Sequence, residues 1–189
     1  MINETVILLA RLKDYSQHRL AKTSEGTLGL SANIDLFFNK SLQQIFSKVI
    51  TCDPAERVME MGVMGANKEI LELVRKEHPK YVIWLSSMYE ITESTFDDIR
   101  QEGSTVIGWF FDDEYRFARY SKWWIPHLDY CVTFDLEAVP KYRALGARVI
   151  HEISCEGTAI ERDWSKIEEK YDVSFVGWKS KALREQYIN

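Results

Sequence analysis

Runs of β-forming apolar residues alternate along this chain with segments patterned for helices, and no other feature constrains its fold as much. Strands joined through helices run parallel, because a connection long enough to hold a helix returns the chain to the same end of the sheet. The first run is residues 6–12. The second, 48–52, follows a segment in which Ile34, Phe37, Phe38, Leu42, Ile45 and Phe46 recur at helical spacing and form one apolar face. A helix over 67–77, with Ile70, Leu71 and Val74 inside, stops at His78-Pro79 ahead of the run 81–85. A helix over 92–101, with Phe96 and Ile99 inside and Gly103 beyond its end, leads to the run 106–111. After an aromatic stretch come the run 130–134, a helix over 137–145 closed by Gly146, and the run 148–153.

This pattern predicts an α/β domain over residues 1–155, a Rossmann-like parallel sheet flanked by helices. Residues 156–170 break the rhythm, being polar and anchored only by Ile160, Trp164 and Ile167, so 156–171 reads as a linker. A seventh run, 172–177, ends in Gly177, and a helix begins over 181–188. The pair reads as the first strand and helix of a second domain that breaks off at residue 189. The alternative is that they return to the first sheet as its last strand and cover helix.

Composition narrows the function. Net charge is −5 with Lys and Arg scattered, so no basic stripe is present to neutralise a nucleic-acid backbone. Cys52, Cys131 and Cys155 are an odd number at wide spacing without a CxxC, which argues against a disulfide framework or structural zinc and for buried thiols in a reducing compartment. No stretch reaches the ~20 apolar residues of a membrane span and no basic leader precedes the first apolar run, so a cytoplasmic location is expected. Aromatic residues make up 13% of the chain, enough to line a cleft as well as fill a core.

In open parallel sheets ligands gather beyond the carboxyl ends of the strands, which ranks the candidates for chemistry. The foremost is the sequence from Gly108 through Trp109, Phe110 and Phe111 into Asp112, Asp113 and Glu114, with Arg116 and Arg119 behind. Three successive carboxylates are stable only if solvated, paired with the arginines or used on a ligand, and their mutual repulsion favours a raised pKa suited to a general base. Residues 14–30 form a long polar stretch containing His18, with neither a P-loop nor a dinucleotide fingerprint. Ser86, Ser87, Tyr89 and Glu90 follow the third run and offer polar groups to a polyol; no GxSxG elbow surrounds the serines. Thr133 and Asp135 close the fifth, either to bond a ligand or to cap the next helix. The four histidines have no metal-ligand spacing, and no metal site is expected.

Several of these pieces together resemble the CgeB-like, spore-maturation type of glycosyltransferase. They are the 108–114 sequence with Arg116-Phe117, Tyr120-Ser121-Lys122, Asp129-Tyr130 with Thr133, Lys141-Tyr142 with Gly146, and 172–177 with Arg184. The resemblance covers residues 79–189 and implies the N-terminal, acceptor-side half of a two-domain GT-B enzyme. Such an enzyme transfers a sugar from a nucleotide-sugar donor to an acceptor glycan or small molecule, without a cofactor and without an obligatory metal. On that reading Asp112 or Asp113 is the base, with His18 as a further candidate, and Arg116 and Arg119 orient the carboxylates or meet donor phosphate. The family's donor-binding residues belong to a C-terminal domain of which this sequence holds only the start, so the chain alone is expected to be inactive. Homodimerisation is compatible with all of this. The competing expectation is a free-standing sugar- or nucleotide-binding module without catalysis; a remoter one is a phosphoacceptor switch at Asp112.

Overall fold

The structure is a computed structural model that describes residues 1–12, 34–86 and 89–152. His18 and the rest of the 14–30 stretch, Ser87, Cys155, the linker and the 172–177 and 181–188 segments lie outside the described residues.

Among the described residues six strands, β1 (Ile2–Leu9), β2 (Phe46–Cys52), β3 (Tyr81–Leu85), β4 (Thr105–Phe110), β5 (Tyr130–Thr133) and β6 (Val149–His151), form one sheet of order β2-β1-β3-β4-β5-β6. Every neighbouring pair is parallel. The chain is therefore an α/β protein with a Rossmann-like sheet, as its alternating pattern predicts. The order reverses direction after β1, which puts the topological switch between β1 and β3.

Helices occupy both faces. A π-helical turn (Asp35–Asn39) runs into α1 (Lys40–Ile45) between β1 and β2. The others are α2 (Pro54–Glu77), α3 (Glu93–Gln101), α4 (Asp113–Arg116), α5 (Lys122–Trp124) and α6 (Val139–Ala144). A second π-helical turn (Phe117–Ser121) joins α4 to α5, and a 3-10 turn (Ile125–His127) follows. The main core lies between the sheet and α2, α3, α5 and α6, with Ile7, Leu9, Val82, Trp84, Val106 and Phe110 meeting Ile70, Val74, Phe96, Ile99, Trp124 and Tyr142. A smaller core on the opposite face packs Val6, Leu8, Ile83 and Leu85 under Ile34, Phe38 and Leu42. Alternate residues of β1 and β3 go to opposite cores, as the pleat of a strand covered on both faces requires.

The sequence reading starts α2 at Asn67, whereas the helix begins at Pro54. Asp53 caps it, accepting from the amides of Ala55 and Glu56, and also accepts from Leu12 N at 2.7 Å, which ties the end of β1 to the start of α2. The early turns escape sequence reading for two reasons. Met59, Met61, Val63 and Met64 are apolar but exposed, at spacings that mark no single helical face, and Gly62 breaks the helix with φ 75° and ψ 168°. Buried Asn67 then fixes α2 to the β3–α3 connection. Its amide donates to the carbonyls of Val63 and Glu90, and its oxygen accepts from Thr92 N and Thr95 Oγ1.

Candidate functional site

β4 delivers the acidic cluster to the carboxyl edge of the sheet, and the backbone there separates the two aspartates. Asp112 takes a left-handed conformation, φ 62° and ψ 36°, which costs a non-glycine residue about 1–3 kcal/mol and persists only where the surroundings enforce it. The turn leaves Asp112 exposed and drives Asp113 into the protein, where it is 2% accessible.

Three hydroxyls converge on Asp113. Ser121 donates to Oδ1 at 2.5 Å, and Thr133 and Tyr142 donate to Oδ2 at 2.6 and 2.9 Å. These donors come from the π-helical turn, β5 and α6, so one carboxylate fastens the end of β4 to three other elements. Hydrogen bonds to a charged acceptor are worth roughly 1.5–3 kcal/mol each, which offsets the desolvation of the carboxylate. The Tyr142 phenol is pushed well above its ordinary range by burial first and by the adjacent Asp113 charge second, so it stays protonated and remains a donor.

The exposed side of the same turn carries the groups available to a ligand. Tyr115, largely exposed, has its phenol pKa raised chiefly by a hydrogen bond to Asp112. The Arg116 guanidinium lies 4.3 Å from the centre of the Tyr120 ring. Tyr120 is buried, which raises its pKa, and its ring meets Tyr89 edge-on at 5.0 Å. Tyr89 is 64% exposed and also borders Trp124. An aromatic shelf with one cation against it thus joins the end of β3 to the segment after β4. Glu114 and Arg119 are exposed on that segment.

The remaining candidates divide between edge and interior. Ser86 is buried at the end of β3, where its amide donates to the Trp109 carbonyl at 3.0 Å. Trp109 turns its side chain to the α1 face, packing edge-on against Phe38 at 4.9 Å. Asp135 accepts from Glu137 N at 2.9 Å and so closes a turn ahead of α6, whose own N-cap, Ala138, makes no side-chain capping bond. Thr133 serves Asp113. Among the described residues no group of three or more His, Cys, Asp or Glu is arranged to hold a metal ion, and no helix is long and apolar enough to cross a membrane.

Sequence reasoning about single residues gives no part to Ser121 or Tyr142 in the acidic cluster, since a serine and a tyrosine beside helices carry no signal of their own. Both stand in stretches that carry the family resemblance, which is the one pointer to them, and with Thr133 these two side chains meet at the Asp113 carboxylate. Compared with protein-family models and with curated proteins, the chain matches none.

Proposed function

We propose that this chain is the acceptor-binding half of a GT-B type glycosyltransferase, in which Asp112 at the carboxyl edge of β4 deprotonates the acceptor hydroxyl. One observation carries the reading. A left-handed turn holds Asp112 out at the edge where parallel sheets bind ligands, and it is anchored from beneath by the Asp113 hydroxyl cluster. The two carboxylates then divide the work, Asp113 fixing the turn and Asp112 facing the acceptor. Tyr89 and Tyr115 offer ring faces and hydroxyls suited to a sugar, and Arg116 and Arg119 are placed on the following segment for a carboxylate or donor phosphate. The nucleotide-sugar is a substrate, and no cofactor enters the scheme.

Saturation-transfer NMR of this chain against mono- and disaccharides and nucleotide-sugars tests the binding half of the proposal. Saccharide binding is expected, weakened about tenfold by Asp112→Asn through loss of a charged hydrogen bond. In a chain extended through a complete second unit, Asp112→Asn should lower sugar transfer by at least about 100-fold, the usual share of a general base. Binding without turnover in the extended chain favours the sugar- or nucleotide-binding module instead. The absence of any signal from saccharides and nucleotide-sugars alike at millimolar concentration would sink both readings.

A further inference from the structure

Residues 115–128 hold Arg116, Arg119 and Lys122 and no acidic residue, in a protein whose net charge is −5. They follow one helical path from α4 through the second π-helical turn and α5 to the 3-10 turn. Phe117, Tyr120, Trp124 and Ile125 turn inward and join the main core. The outer side carries Tyr115, 60% exposed, then exposed Arg119, then Trp123, 59% exposed. In an ordinary α-helix a row taken every fourth residue drifts around the axis, because a turn holds 3.6 residues; a π-helical turn is wider and drifts the other way. The turn at Phe117–Ser121 therefore keeps Tyr115, Arg119 and Trp123 in line, over roughly 12 Å at 1.5 Å per residue. Two lysines stand beside the row. Lys122 Nζ lies 4.5 Å from the centre of the Trp123 ring, and Lys141 Nζ reaches from α6 to 5.9 Å from that of Phe117. Among the described residues Arg119, Lys122 and Lys141 enter no salt bridge, whereas Arg57, Arg75 and Arg100 all do. The row begins at Asp112, to which the Tyr115 phenol is hydrogen-bonded.

Rings and unpaired cations thus alternate along a line that leads away from the carboxylate assigned as base. We propose that this line is an acceptor track, and that the acceptor is an oligosaccharide bearing anionic groups, carboxylate or phosphate. The inference rests on the acceptor-binding reading above and gives that acceptor its charge and its direction. Asp112 receives the reacting hydroxyl, and the Tyr115 and Trp123 rings stack on the sugar units that follow. Arg119 and Lys122 hold the anionic groups between them, the guanidinium through paired hydrogen bonds and the ammonium as a point charge. Lys141 adds to the same local field. A row longer than one hexose suits a chain better than a monosaccharide. Anionic lipid headgroups or a nucleic-acid backbone fit this surface less well. Two large side chains separated by a cation offer little apolar area to insert into a bilayer, and exposed Asp112 and Glu114 at the head of the row repel a continuous layer of phosphate.

Calorimetric titration of the full chain at low ionic strength tests it, with tetragalacturonate and a phosphorylated maltotetraose set against neutral maltotetraose. At least one of the charged tetramers should bind about tenfold more tightly than the neutral one, the effect of charge-assisted hydrogen bonds, and the gap should narrow as salt is added. Which of the two binds better tells carboxylate from phosphate. Arg119→Gln with Lys122→Gln should close the gap, whereas Arg143→Gln, at an exposed cation of α6 outside the row, should leave it in place. Trp123→Ala should weaken every tetramer about tenfold, and Trp123→Phe, which keeps a ring face, much less. Equal affinities for charged and neutral tetramers, with binding still weakened by Asp112→Asn, overturn the track and leave the acceptor-binding reading standing. No binding of any tetramer removes both. A charge preference that survives Arg119→Gln with Lys122→Gln also overturns the track. So does Trp123-dependent attachment to phosphatidylserine vesicles or to polyuridylate in place of the tetramers, which would make the partner a membrane or a nucleic acid. Circular dichroism of each variant confirms that the affinities come from folded protein.

Discussion

At Asp113 a carboxylate lies almost wholly out of water, with the hydroxyls of Ser121, Thr133 and Tyr142 turned toward it. Removing the acceptor would leave three buried donors without a partner, and the desolvation already incurred by each is then unrecovered. Asp113→Ala is accordingly expected to lower unfolding free energy by about 3–5 kcal/mol, a large share of the stability of a domain this size. Asp113→Asn keeps an oxygen acceptor and should cost clearly less. Urea denaturation of the two variants measures the difference, and equal, small losses would remove the anchoring role. The neighbouring Asp112 is exposed, and its φ of 62° marks the point where the chain turns from the strand to the interior.

α2 shows how an element can be continuous in space and interrupted in sequence. Its cap, Asp53, and the proline after it make a strong start, yet Gly62 sits at φ 75° and ψ 168°, a region open essentially to glycine alone. The same glycine in a regular helix would gain about 1 kcal/mol on replacement by alanine. Here Gly62→Ala is expected to destabilise by about 1–3 kcal/mol, although open space surrounds the position and no clash arises. The sign of the change in melting temperature decides the matter, since a rise would mean that the break is absent in solution. Downstream of the break, Asn67 and the apolar stripe of Ile70 and Val74 hold the helix to the sheet.

Across the whole molecule, burial in the larger core shifts several titrating groups in one direction. Cys52 and Cys131 are raised from 9.0 to about 11 and about 12, desolvation being the first cause in both, with the Arg57 charge opposing it at Cys52. The buried phenols of Tyr120 and Tyr142 shift the same way. Each folded-state pKa lies above its unfolded value, so the unfolded chain loses these protons first as pH rises. The stabilisation is complete below about pH 9 and is lost toward pH 11, at about 1.4 kcal/mol per pH unit for each thiol. Urea midpoints measured from pH 8 to pH 11 should fall across that window, and Cys131→Ala should make the decline shallower. A flat profile would mean that these thiols meet water in the folded state.

Local patterning made the strands and most helices legible. Residues 81–85 and the stripe from Ile70 to Val74 announce their conformations through neighbours a few positions away, and the backbone responds to those neighbours first. The parallel sheet followed from the alternation of such segments. What the amino-acid order could not express is anything set by residues brought together from a distance: the strand order, the face each helix covers, and which of two adjacent aspartates is exposed. Ser121, Thr133 and Tyr142 stand 8, 20 and 29 residues from Asp113, and only the pairing of β4 with β5 and the docking of α6 place their hydroxyls around it. Desolvation and hydrogen bonding act through space, so the environment of a carboxylate belongs to the tertiary structure, while helical and extended periodicity belong to the chain itself.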